Sequence, residues 1–190
     1  MISILRHIKV ITDAEIKNLY IDCSMIKNVG GVEKIGINHY DRYRNGSKVS
    51  VIVTSRGIPL GLKMSSSNTH DLELVEDNIK DISVKVIGSR LIGELDRRSK
   101  LKIEDFNKGY ISASLKRKLR RDKNIKLIHP YRSNQNRSLT SFEKNLLKRR
   151  HIVENTFSWL KSKRKLKLRQ EKKIKYFEEF WYLGLLDIII

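Results

Sequence analysis

The residues of this chain whose types could do chemistry are carboxylates set among cations. Asp22 lies in YIDCSMIK, where residues 18–23 alternate as a strand does: Leu19, Ile21 and Cys23 fall on one face, Tyr20 and Asp22 on the other. A carboxylate near a strand end is placed to hold a metal ion over a sheet edge, although an Asp there can also simply close the strand. Glu154 lies in LLKRRHIVENTFSWLKSKRK. On a helix Arg150, Glu154 and Lys161 share one face, since they stand at i−4, i and i+7. Such a carboxylate could hold a divalent cation while its two neighbours hold phosphate. Read alone, the same spacing is an i,i+4 ion pair on a solvated face, worth roughly a few tenths of a kcal/mol.

Other chemistries find less support. Five His and one Cys occur without zinc-ligand spacing. Gly30-Gly31 is followed by no Lys-Ser/Thr and reads as a turn, not a phosphate loop. A single cysteine, Cys23, precludes an internal disulfide framework and fits a reducing compartment.

The charge points to a polyanion. The chain has 190 residues, 40 Lys+Arg against 21 Asp+Glu, and a net charge of +19. Residues 114–175 hold 22 of the basic and 4 of the acidic side chains, so one third of the chain carries +18. A scattered excess would read as a solubilising surface; one this concentrated favours nucleic acid first and an anionic membrane second. MISILRHIKV breaks its apolar run at Arg6 and His7 and makes no secretory signal, and FWYLGLLDIII is too short to span a bilayer.

The elements that must position these residues are legible in outline. KVSVIVT, SRGIP and LGLKMSS spell strand, turn and strand, a β-hairpin. GVEKIGINHYDRYRNGSK reads as loop, and a helix starts near Asn68–Thr69 and runs through HDLELVEDNI. SVKVIG and KLKIEDF are short strands, the second ending at NKGY; ISASLKRKLRR is a basic helix and IKLIHP a strand closed by Pro130. YRSNQNRS is a polar loop. One long helix should begin near Ser141, with Leu146, Val153, Phe157 and Leu160 along one side. LKLRQEKKIK is a basic connector, and YFEEFWYLGLLDIII a final apolar helix. Phe157, Trp159, Trp181 and Tyr182 fall at helical spacing in apolar stretches and are expected in the core. Strands first, then alternating strands and helices, then helices make a mixed α/β domain.

Taken in order, the pieces resemble the DDE transposases of bacterial insertion sequences. They are DCSMIK at 22–27, GSKVSVIVT with GIPL within 46–60, NTHD at 68–71, NKGY at 107–110, and R-x3-E-x6-K from Arg150 through Glu154 to Lys161. The resemblance spans nearly the whole chain from Ile21. It implies an RNase H-like α/β fold, a mixed sheet flanked by helices, over residues 18–190, with 1–17 as an N-terminal remnant or linker. It implies DNA cleavage and strand transfer, with Asp22 and Glu154 as first and third catalytic acids and Mg²⁺ or Mn²⁺ as cofactor. Two such ions activate the attacking oxygen and stabilise the leaving one, so no protein nucleophile is needed. Arg150 and Lys161 match the family's basic positions; with Lys163, Arg164 and Lys165 they are the expected DNA contacts. His70-Asp71 matches the family's N-x-H-D feature and reads as a helix start. The implied setting is cytoplasmic and nucleoid-associated, with DNA as partner at element ends and target, no membrane, and a second copy of the chain or a separately encoded N-terminal DNA-binding half as further candidates.

Three departures from the family stand out. Where the family has Asp before K-G-Y, this chain has Asn107, which lowers the acidic count from three to two. Asp105 lies two residues earlier, on the same face if the strand extends that far, but about 6.6 Å back. The family's usual Tyr three residues before the Arg is Leu147. Only about twenty residues precede Asp22, fewer than a helix-turn-helix needs, as in a split-gene product or a truncated copy. The expectation is therefore a degenerate or partial transposase. The alternatives are a catalytically inactive nucleic-acid-binding protein derived from one, and a basic protein that binds RNA or another acidic partner.

Overall fold

The computed structural model describes residues 11–38, 43–82, 84–93, 106–131 and 138–189, and of residues 106–112 the backbone alone. After a one-turn helix, α1 (Asp13–Ile16), the chain enters β1 (Asn18–Asn28). The strand continues past Cys23, so Asp22 lies within it rather than near its end. The hairpin is β3 (Arg44–Val53) and β4 (Pro59–Ser66). Its turn is held by the Thr54 hydroxyl, which accepts the N–H groups of Arg56 and Ile58 at 3.3 and 3.2 Å. Gly57 sits there at φ +81°, where a Cβ would be strained.

Two expectations needed correction here. Within the stretch read as loop, β2 (Gly36–Asn38) pairs antiparallel with residues 44–46 of β3; three residues are too few to show an alternating pattern. SVKVIG is not a strand over its described residues 84–88, which bend and turn through Gly88 at φ +81°. The strand is the next run, β5 (Arg90–Gly93), whose Leu91 and Ile92 are fully buried. A strand covered on both faces carries no alternation to read.

The seven-stranded sheet has the order β2-β3-β1-β5-β6, where β6 is Lys126–Ile128; β4 pairs with β3 and β7 (Leu168–Arg169) with β1. On one edge β1 meets β3 antiparallel from Tyr20 to Lys27. On the other it meets β5 in parallel from Asn18 to Ile21, then β7 in parallel at Lys27 and Asn28. Among the described residues, that edge of β1 has no strand partner from Asp22 to Ile26. The gap opens at the carboxyl end of the β1–β5 pairing, where open α/β sheets place their ligands.

Helices cover both faces. Leu19, Ile21, Ile52, Leu91 and Leu127 pack against α2 (Asp71–Lys80) and α3 (Phe106–Lys123) through Leu72, Val75, Ile79, Leu115 and Leu119. Tyr20, Val49, Val51 and Val53 pack on the other face against α4 (Ser141–Lys148), α5 (His151–Ser162), α6 (Arg164–Lys167) and α7 (Ile174–Asp187). This is the mixed sheet flanked by helices of an RNase H-like fold. The alternation read in residues 18–22 sorts β1 between the two layers as expected.

The long helix expected from Ser141 is two helices. All four marker residues, Leu146, Val153, Phe157 and Leu160, are buried in one cluster. The chain breaks at Arg149 and Arg150, where the N–H groups of both reach back three residues, to Leu146 and Leu147. Apolar periodicity survives such a bend, so it cannot reveal one. The strand expected in KLKIEDF lies outside the described residues except Phe106, which opens α3; NKGY is helical, not the end of a strand.

The basic connector is also corrected. Residues 164–167 are helical and 168–169 form β7, and Arg169 is entirely buried. Its guanidinium donates to the Glu33 carbonyl, to Ser47 Oγ at 2.8 Å, and to the carbonyls of Lys172 and Glu171 at 3.0 and 3.2 Å. It fastens the loop after β1, the β3 strand and the approach to α7 to one point.

Candidate active site

Asp22 faces the α4–α7 layer, as Tyr20 does, and meets Arg150 there. Arg150 Nη2 is 3.3 Å from Asp22 Oδ2 and 3.3 Å from Glu154 Oε1. The two carboxylates, 132 positions apart in sequence, thus converge on a single nitrogen. The bend between α4 and α5 sets Arg150 at the start of α5 with its side chain turned inward, only 10% exposed. Glu154, one turn further along, keeps its own side chain 48% exposed. Asp22 Oδ1 also accepts the Cys23 N–H at 2.9 Å.

The electrostatics of Asp22 are those of a carboxylate short of positive charge. Burial raises its pKa above the ordinary 3.8, Glu154 and Asp71 raise it further, and Arg150 and the Cys23 N–H only partly offset this. The folded chain therefore binds a proton at Asp22 more tightly than the unfolded chain. Stability falls as pH rises from 3.8 through the raised value, and the loss is complete above it. Asp22→Asn is expected to remove this loss. In chelator, its melting temperature relative to the natural sequence should climb as pH rises across that window and then level off. Thermal melts between about pH 3 and 8 measure it; a difference that stays flat or reverses would contradict the reading.

Behind β1, Cys23 points to the opposite layer. Burial, and then the charge of Asp71, push its thiol well up, in keeping with a cysteine that has no nucleophilic role. His70 caps α2, its Nδ1 accepting the Leu72 N–H at 3.2 Å, as a helix start requires. Asp71 is held by Lys48 at 2.7 Å, and the same ammonium donates to the Thr69 carbonyl. Lys48 escaped the sequence reading, since nothing in KVSVIVT marks one polar strand position over another.

The other expected site residues are dispersed. The Lys161 ammonium donates to the Met25 carbonyl at 3.0 Å, within that stretch of β1, and so braces α5 against the gap. Lys163 pairs with Asp187 and lies 4.2 Å over the Trp159 ring. Lys165 pairs with Glu171 at 3.4 Å and covers Phe180, and Arg164 is exposed. Asp105 and the side chain of Asn107 lie outside the described residues. Phe157 and Trp181 are core, as expected, and Tyr182 packs against that core half-buried, but Trp159 is 38% exposed. Its ring walls a cavity of about 460 Å³ between α5, the Thr54–Ile58 turn and the end of α7.

Among the described residues no three His, Cys, Asp or Glu side chains stand together as a metal-holding group. Asp22 and Glu154 nevertheless supply the hard oxygen donors that a divalent ion takes, already turned toward one cation. No described helix is long and apolar enough to cross a membrane.

Comparison with known proteins identifies the family. The family model described as transposase DDE domain matches residues 17–173. A Burkholderia cepacia protein assigned as the transposase for insertion sequence element IS402 is 30% identical over 154 residues, 81% of this chain and 67% of that one. The matched span opens just before β1 and closes at the threshold of α7, enclosing both carboxylates and the arginine between them, and the chain belongs to the DDE transposase family.

Proposed function

We propose that this chain is an insertion-sequence transposase that cuts and joins DNA at a site built on Asp22 and Glu154, in a copy weakened by Asn107. The observation that carries the reading is the meeting of those two carboxylates at Arg150 Nη2. DDE transposase domains generally use divalent metal ions, and Mg²⁺ or Mn²⁺ fits an all-oxygen donor pair. Such ions supply charge stabilisation at the attacked phosphate and lower the pKa of bound water. The protein's part is to hold Asp22 on a central strand, hold Glu154 one turn into α5, and brace the two elements through Lys161 and Met25.

Asn107 favours a second reading, a nucleic-acid-binding protein derived from a transposase that no longer cuts. Metal-dependent nicking of the cognate element ends separates the two. Cutting that appears or rises with Asn107→Asp, and is lost again when Asp22→Asn or Glu154→Gln is added, supports the site. A fully restored triad that never nicks would sink it.

Both readings require a phosphate-binding surface. On α3, Arg117 and Arg120 are exposed. Replacing both by Gln is expected to lower the slope of log affinity against log salt by about 2, equally for all duplex sequences. Fluorescence anisotropy across a salt series measures this; an unchanged slope would take α3 off the interface.

A further inference from the structure

We propose that the Arg150 guanidinium is a built-in occupant of the divalent-ion position, and that an ion binds between Asp22 and Glu154 by displacing it. This rests on the site proposed above and adds a competitor within it. One nitrogen, Nη2, stands 3.3 Å from a carboxylate oxygen on each side. An ion ligated by the same two oxygens on the side that faces Arg150, at the roughly 2.1 Å that Mg²⁺ requires, would stand nearer to that nitrogen than two cations can approach. A guanidinium cannot shed its charge to make room, so it has to move.

The surroundings suit such an exchange. Arg150 stands at the joint of α4 and α5 rather than inside either helix, and Glu154 opens the pair to solvent on one side. While the guanidinium is in place the two carboxylates are held together without an ion. The ion's apparent affinity is then lowered by whatever Arg150 contributes in its place.

Mn²⁺ titration of the full chain, read from the electron-paramagnetic-resonance signal of the free ion, tests this. Arg150→Gln is expected to bind Mn²⁺ at least about tenfold more tightly than the natural sequence. Arg149→Gln removes an exposed charge one residue away and should leave the affinity within about twofold, which separates displacement from a general loss of positive field. Should Gln at 150 not fold, Arg150→Lys reads the same effect, since an ammonium on a shorter stem cannot bridge both carboxylates and tightening by at least about threefold is expected. An Arg150 variant that binds no more tightly than the natural sequence, while Asp22→Asn abolishes binding, overturns the inference and leaves the site standing. Equal tightening by the 149 and 150 variants also overturns it. If neither Asp22→Asn nor Glu154→Gln changes Mn²⁺ binding, the site itself fails, and the inference with it.

Discussion

Asn107→Asp is expected to raise metal-dependent cleavage of the element ends by at least about a hundredfold over the natural sequence. Two divalent ions bring four positive charges into one small site. Asp22 and Glu154 answer with two negative charges, and Arg150 adds a positive one. A neutral amide at the second acidic position offers an oxygen but no charge, so ion binding and the alignment of the attacked phosphate suffer together. The gain should appear in single-turnover nicking with Mg²⁺ or Mn²⁺ and vanish in chelator. It should also be lost when Glu154→Gln is added, because charge at the second acidic position cannot act on an ion that is no longer held. A natural sequence that already cuts as fast as the Asp variant would show that Asn107 is no impairment, or that another carboxylate serves.

The second large effect concerns stability. Arg169→Met is expected to lower unfolding stability by about 3–5 kcal/mol, as removal of one partner from a buried charged network does. Four acceptors would lose their donor: the carbonyls of Glu33, Glu171 and Lys172, and the Ser47 hydroxyl. At this chain length such a loss lowers the melting temperature by roughly 6–20 °C. It should also loosen the β7 end of β1, which frames the gap beside Asp22. Denaturant titration measures the loss; a change below about 1 kcal/mol would mean that water replaces the guanidinium at all four acceptors. DNA affinity should hardly move in this variant at a temperature where it is folded, because Arg169 has no exposed surface to offer a phosphate.

Arg169 shows how far a charge reading carries. The expected DNA contacts from 161 to 165 lie in a basic stretch, yet Lys161, Lys163 and Lys165 also serve carbonyl or anionic groups of the chain, and Arg169 in the same stretch is a core residue. Composition counts charges but does not say which way they point. The same blindness applied to Trp159, expected in the core from its spacing and found on a cavity wall beside α5.

What could be read without coordinates was whatever is encoded over short separations. Alternation sorted Tyr20 and Asp22 from Leu19 and Ile21, turn chemistry announced the β3–β4 hairpin, and apolar spacing marked the buried side of α4 and α5. Each is local because a strand or helix presents its faces at a fixed period. The ordered pieces from DCSMIK to R-x3-E-x6-K likewise carry the family's pattern in the sequence itself. Tertiary structure alone decided the rest: the bend that turns Arg150 inward, the stretch of β1 between β5 and β7 that has no strand partner among the described residues, and the single nitrogen shared by Asp22 and Glu154. Those features depend on partners 72 or more residues away, and no local period in a chain reports a contact at that distance.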